Sequence, residues 1–229
     1  MTPTARICVL DYGMGNLRSV EKALERVGAS AVVTSDVEVA RGADGLVLPG
    51  VGAFPRAMSR IRELGFDALL RDHVAADRPV LGICLGAQLV LESSTELGGA
   101  EGLGLVPGEV TRLEAPGLKL PHIGWEPVRW ESESELVEGI PDGTPFYFVH
   151  AYAPRPARSA DVLGTAVHGE RFACALVRAP VYGAQFHPEK SSAAGLKVLA
   201  NFNRICARAS DREPAGSGHA TKRSGGPAR

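Results

Sequence analysis

The chain has 229 residues, 45% of them hydrophobic and 22% charged, with a formal net charge of −1. That length suits one globular domain hiding roughly 70% of the surface its unfolded chain would expose, and the balanced charge excludes a basic footprint for nucleic acid. No apolar run approaches the roughly 20 residues that span a bilayer, residues 1–6 carry no cleavage signature, and the four cysteines lack metal or disulfide spacing. A soluble cytoplasmic protein with reduced thiols is expected, without membrane or nucleic-acid partners.

Residues 6–11 form an apolar strand candidate ended by Tyr12 and Gly13. Leu17, Val20, Ala23, Leu24 and Val27 recur at helical spacing over 16–27, and Gly28 stands where a C-terminal cap belongs. Strands at 30–34 and 45–48 follow, then one helix over 54–70. A strand at 78–83 runs directly into a helix over 85–91. Nearly continuous apolar strands alternating with helices imply a parallel sheet covered on both faces. Beyond residue 100 the pattern changes to strands at 105–112, 125–130, 145–152, 161–168, 174–177 and 181–186, separated by Gly- and Pro-rich turns. These are expected to extend the sheet in antiparallel fashion or to pack as a side sheet. A last helix covers 192–207. The expected fold class is α/β, a mostly parallel central sheet flanked by helices with antiparallel additions in the second half. Residues 1–209 make one domain. Residues 210–229 are Gly, Ser, Ala, Pro and charge without apolar periodicity, and are expected to be a disordered tail.

The segment Gly82-Ile83-Cys84-Leu85-Gly86 reads as strand, sharp turn and helix, with a cysteine at the turn and glycine two positions to either side. This is the nucleophile elbow with sulfur in place of oxygen. The glycines leave room where the turn brings backbones together, and the helix start offers free N–H groups that favour a thiolate. The N–H of Leu85 then points toward an oxyanion on a substrate carbonyl. A buried structural cysteine is the plainer alternative, which the paired glycines and the strand-to-helix context disfavour. His187 and Glu189 flank Pro188 at the end of an apolar strand, so Glu189 can hold one ring nitrogen while the other faces Cys84. A solvated surface turn is the alternative there. Pro49-Gly50-Val51-Gly52 reads as a loop able to flip a peptide and aim an N–H at negative charge; an ordinary turn remains open. Gly13-Met14-Gly15 mimics a dinucleotide fingerprint, but Arg18 stands where the third glycine belongs. No histidine pair has H-x-x-x-H spacing, so no metal is expected.

Taken together, the Cys84 elbow, Pro49-Gly50-Val51-Gly52 and His187-Pro188-Glu189 resemble the class I (triad) glutamine amidotransferases. Asp11-Tyr12-Gly13-Met14-Gly15-Asn16, Pro121-His122-Ile123-Gly124-Trp125, Tyr147-Phe148-Val149-His150 and Gln185-Phe186 resemble, within that class, the glutaminase subunits of imidazole glycerol phosphate synthase in histidine biosynthesis. The resemblance runs from about residue 7 to 203. It implies a flavodoxin-like fold, Cys84 as nucleophile, His187 as proton carrier and Glu189 as its orienter. The oxyanion hole would be Leu85 with Gly50 and Val51 after a peptide flip. Gly52, Gln88, Glu96, His150 and Tyr152 would bind glutamine. The implied partner is a cyclase, a (β/α)₈ barrel that receives ammonia, docked near Asn16, Trp125, Tyr147 and Lys190, and no cofactor is implied. Ala87 and Ala151 depart from the family's usual Met and Ser. The alternatives are another triad amidotransferase, serving a chorismate- or pyridoxal-phosphate-type synthase, and a non-catalytic flavodoxin-like binding module.

Overall fold

The structure, a computed structural model, describes residues 4–211. Its first half alternates β1 (Arg6–Leu10), α1 (Leu17–Arg26), β2 (Ser30–Thr34), α2 (Val37–Arg41), β3 (Gly45–Gly50), α3 (Phe54–Glu63), α4 (Phe66–Ala75), β4 (Val80–Cys84) and α5 (Leu85–Leu89). The second half begins with the short β5 (Ser93–Ser94) and β6 (Ala100–Glu101) and continues through β7 (Gly108–Arg112), β8 (His122–Trp130) and β9 (Thr144–His150). It closes with β10 (Tyr152–Pro156), β11 (Val162–His168), β12 (Glu170–Arg178), β13 (Val181–Ala184) and α6 (Ser192–Ser210).

Nine strands form the main sheet in the order β2-β1-β3-β4-β13-β12-β11-β8-β9. The five from β2 to β13 are parallel, and the remaining four extend the sheet in antiparallel pairs. A side sheet, β10-β7-β5-β6, stands apart. Alternation along the central strands feeds both faces. Ile7, Val9, Val47, Leu81 and Ile83 enter the core under α1 and α6, with Val20, Leu24, Leu199 and Phe202. Cys8, Leu10, Leu46, Leu48 and Val80 enter the opposite core under α3 and α4, with Phe54, Ile61, Phe66 and Leu70. Burial on both faces is why these strands read as unbroken apolar runs. The site-bearing edge therefore rests on two cores at once.

Several boundaries differ from the sequence reading. The single helix expected over 54–70 is two, because Gly65 takes a left-handed φ of 73° between α3 and α4. Helix α2 was not expected; Asp36 starts it by accepting from the N–H groups of Glu38 and Val39. The strand expected over 145–152 divides at Ala151 into β9 and β10, which belong to different sheets. The helix expected over 85–91 ends at Leu89, and β7 begins at Gly108 rather than 105. Helix α6 continues to Ser210, past its expected end and into the first residue of the expected tail. Residues 212–229, and with them the expectation of disorder, lie outside the described residues. Among the described residues no helix is long and apolar enough to cross a membrane.

Two buried histidines make the fold sensitive to acid. Burial, then the Arg78 charge, lowers the His73 pKa from 6.5 to about 4. Burial lowers that of His150 to about 3, against an opposing hydrogen bond to the Tyr152 carbonyl. Both folded values lie below the unfolded one. The stabilisation from keeping these rings neutral is therefore complete above pH 6.5 and is lost as pH falls through 4 and then 3. Urea unfolding between pH 7 and 4.5 should show stability falling by up to about 1.4 kcal/mol per pH unit for each histidine. In His73→Phe the acid slope should be shallower by one histidine's share; an unchanged slope would contradict the assignment.

Candidate active site

Three neighbouring parallel strands, β3, β4 and β13, bring their carboxyl ends to one place, where ligand crevices of open α/β sheets form. Gly50 at the end of β3 sits in register with Cys84 at the end of β4, and β13 leads through Gln185 and Phe186 to His187. Cys84 has φ 54° and ψ −109°, an unusual conformation for a side-chain-bearing residue. The chain turns there from strand into helix without a linking residue. A Cβ at Gly82 would strike the Gly86 carbonyl, and one at Gly86 would collide with the carbonyl oxygen of Leu48 on β3. The elbow thus closes only around two bare backbones. Helix α5 has five residues, so what it presents near the sulfur is chiefly the unpaired N–H groups of its first turn, beginning with Leu85.

His187 and Glu189 meet Cys84 from the neighbouring strand. His187 Nδ1 lies 2.8 Å from Glu189 Oε1, and both side chains are buried, 3% and 1% exposed. The backbone beneath is fixed: His187 N donates to the Tyr147 carbonyl, and Ser191 Oγ donates to the His187 carbonyl while accepting from Tyr147 N. Nε2 has no hydrogen-bond partner in this resting geometry. Burial alone would lower the His187 pKa, but the facing Cys84 side chain and the Glu189 carboxylate outweigh it and raise it to about 9. The imidazole is thereby held in its protonated form at neutral pH, between the Cys84 and Glu189 side chains.

A cavity of about 300 Å³ opens over Cys84 and is lined by Val51, Gly52, Leu85, Gln88, Glu96, His150 and Tyr152, with Val149 and Ala151. The structure so gathers around one space the residues expected for the oxyanion hole and for glutamine, with Gly50 in the strand directly behind. Val51 is 44% exposed and, with the exposed Gly52, forms the open side of this space. Glu96 stands on a short 3-10 turn, and its Oε2 accepts from the Phe54 N–H at the start of α3. His150 Nδ1 is 2.9 Å from the Tyr152 carbonyl, which obliges that nitrogen to carry the proton and leaves Nε2 a buried acceptor. A larger surface cleft of about 640 Å³, between Trp130 and Arg208, is lined by no cysteine or histidine.

Of the four residues expected at a partner interface, three lie together. Trp125 is 49% exposed and meets Tyr147 edge-on at 6.0 Å; Lys190 Nζ stands 5.8 Å over the Tyr147 ring; Tyr147 in turn lies 6.4 Å from the His187 ring. Asn16 is exposed at the start of α1, and its side chain makes no capping bond.

Two buried side chains at the site were not singled out from the sequence. The Tyr12 hydroxyl donates 2.6 Å to the Pro49 carbonyl, and burial followed by the Cys84 charge keeps it protonated. Gln185 touches Cys84 itself. In the sequence both stand within segments that carry the family resemblance, without a role of their own. A third grouping, His122, Glu126 and His168, draws together although no histidine spacing announced it. The two imidazoles stack face to face, 4.0 Å apart and 15° from parallel, so their lone pairs run along parallel planes instead of converging on one point.

Residues 8–205 match the family described as Glutamine amidotransferase class-I, and the chain belongs to that family. Within it, the chain is 49% identical to imidazole glycerol phosphate synthase subunit HisH of Moorella thermoacetica, over 87% of this chain and 94% of that one. It is 50% identical to the subunit of the same name from Aquifex aeolicus, over 87% and 96%. Among solved structures, a putative GMP synthase subunit from Thermoplasma acidophilum superposes with a TM-score of 0.71 at 21% identity, covering 91% of this chain and 96% of that one. That likeness shows the shared fold.

The backbone at Cys84 yields a stability test. A positive φ costs a β-carbon-bearing residue on the order of 1–3 kcal/mol, and glycine relieves it. Cys84→Gly should therefore be more stable to urea than Cys84→Ala by roughly 1 kcal/mol, although glycine ordinarily loses that comparison. A Cys84→Ala protein as stable as Cys84→Gly would show that the turn is unstrained.

Proposed function

We propose that this chain is the glutaminase subunit of imidazole glycerol phosphate synthase, hydrolysing glutamine and handing its ammonia to a cyclase subunit. The observation that carries the reading is Cys84 on the wall of one small cavity, faced by the buried His187–Glu189 pair, in a chain half identical to HisH subunits along most of its length.

The chemistry follows from the groups present. The Cys84 sulfur, as thiolate, attacks the side-chain amide carbon of glutamine, and the carbonyl π electrons move onto oxygen. The N–H of Leu85 meets that oxyanion, joined by the N–H of Val51 once the peptide after Gly50 turns inward. Collapse of the tetrahedral species breaks the C–N bond, and His187 delivers its proton to the departing nitrogen, leaving a thioester and ammonia. His187, now neutral, takes a proton from water; hydroxide adds to the thioester, and glutamate leaves as the sulfur regains its charge. Glu189 holds the imidazole in the tautomer and orientation both steps need. Gly52, Gln88, Glu96, His150 and Tyr152 bind the substrate's amide, ammonium and carboxylate ends.

The ammonia acceptor is a cyclase subunit, in the cytoplasm, forming a heterodimer across Asn16, Trp125, Tyr147 and Lys190. Its products are imidazole glycerol phosphate and an aminoimidazole carboxamide ribotide. The exposed aromatic and cationic layer over Tyr147 supports this face, since it borders His187 and so shortens the path from the site to the partner.

In the purified complex, Cys84→Ala should abolish glutamine-driven turnover and leave turnover on added ammonium salts intact; glutamine-driven turnover surviving in that variant would remove Cys84 from the mechanism. His187→Asn should lower kcat by a factor on the order of 10²–10⁴. Glu189→Gln should cost less, because a neutral amide can still hold the ring. Equal losses in a steady-state assay would argue against separate proton-carrying and orienting roles.

A further inference from the structure

Gln185 lies between β13 and His187 and is 1% exposed. A buried primary amide is stable only when its donors and acceptor are met, and the hydrogen bonds around this one run in a fixed direction. The Tyr152 carbonyl can only accept, so the Gln88 amide atom 2.9 Å from it is the nitrogen. That same nitrogen lies 2.9 Å from the Gln185 amide, where it can meet only the oxygen. The Gln185 nitrogen is consequently left facing Cys84, with Nε2 to Sγ at 3.8 Å. A backbone carbonyl of β10 therefore dictates, through two amides, that an N–H and not a carbonyl points at the sulfur.

The other contact of the sulfur sharpens the point. Sγ lies 3.8 Å from the Val149 carbonyl, an acceptor for the S–H of the thiol but a repulsive neighbour for the anion. An N–H donor has the opposite preference and favours the charged form. Gln185 is further anchored by its own backbone, whose N–H donates 2.9 Å to the Cys174 carbonyl on β12.

We propose that Gln185 is a further catalytic residue of the glutaminase reaction: its side-chain N–H, oriented by the relay from Tyr152 through Gln88, donates to the Cys84 sulfur and stabilises it as the attacking anion. The inference rests on the proposed nucleophile and adds a donor to it. The relay also fixes Gln88. Its N–H groups point to Tyr152 and Gln185, leaving its carbonyl oxygen as the group to accept from a substrate N–H donor.

The test compares Gln185→Met, which keeps the length but loses the donor, with Gln185→Glu, which still accepts from Gln88 but places negative charge at the sulfur. Alkylation of Cys84 by iodoacetamide in the full chain, followed against pH by peptide mass spectrometry, should show its midpoint raised by about one unit in Gln185→Met and by more in Gln185→Glu. In the complex, glutamine-driven kcat at pH 7 should fall roughly tenfold, with KM little changed and ammonium-driven turnover intact. Should one variant fail to fold, the other alone reads the same midpoint. Profiles superimposable on the wild type overturn the proposal, as does a rise in KM with kcat unchanged, which would make Gln185 only a support for Gln88. A separate result would sink the underlying reading. If Cys84 in the wild type reacted no faster than Cys8, Cys174 or Cys206, the nucleophile assignment itself would fall, whatever the variants do.

Discussion

The left-handed turn at Cys84 is the constraint on which the rest of the site depends. Strand and helix are joined with no intervening loop, so the sulfur is carried at the end of a central strand buried on both faces. The geometry demands close approach of three backbones, at Gly82, Gly86 and Leu48. This is why glycine is needed on both sides of the cysteine, and why the residue between them bears the strain itself. A flexible loop could present a thiol without strain, but it would have to be reordered at each turnover. Here the ordering is built in by the two hydrophobic cores beneath.

Given that placement, the electrostatics follow. A carboxylate and an imidazole are both held almost entirely away from water, which ordinarily disfavours their charged forms. The imidazole keeps its charge because Cys84 faces it from one side and Glu189 from the other. The outcome is an imidazole whose proton is retained well above neutral pH. In the proposed reaction that proton has a destination, because the amide nitrogen cannot leave as an anion. The second Glu189 oxygen is buried without a hydrogen bond, so the carboxylate's interactions are concentrated on the imidazole. That arrangement suits a group whose work is orientation.

What was legible in the sequence was whatever local geometry imposes on residue type. The elbow could be read because only glycine fits at 82 and 86, and the parallel sheet because strands buried on both faces are apolar throughout. The end of the helix over 54–70 was also written locally, in Gly65, but a long amphipathic pattern on either side masked it. The division of 145–152 was not local at all. Ala151 marks the place where the chain leaves the main sheet for the side sheet, and its own residue type carries no trace of that. Likewise Gln185 becomes meaningful only when β10 and α5 are laid beside β13. An isolated glutamine before Phe186 says nothing of the sulfur it will touch. Pairwise contacts between distant segments were the part the single sequence withheld, except where family resemblance supplied them.

The same layout bears on how an outer face and a buried triad are joined. Strand β9 carries Tyr147 outward and Phe146 inward, and the Phe146 ring packs 4.1 Å from Phe186. The Tyr147 carbonyl meanwhile holds the His187 N–H, and Ser191 ties the two segments again. Trp125 and Lys190, on the outer side of the Tyr147 ring, are therefore one side chain removed from the imidazole. A partner that covers this face gains apolar contact with Trp125 and at the same time restricts Tyr147, while Val51 after β3 remains partly open to solvent. Such a cover bears on the Tyr147 ring beside His187 and leaves the elbow, buried in both cores, untouched.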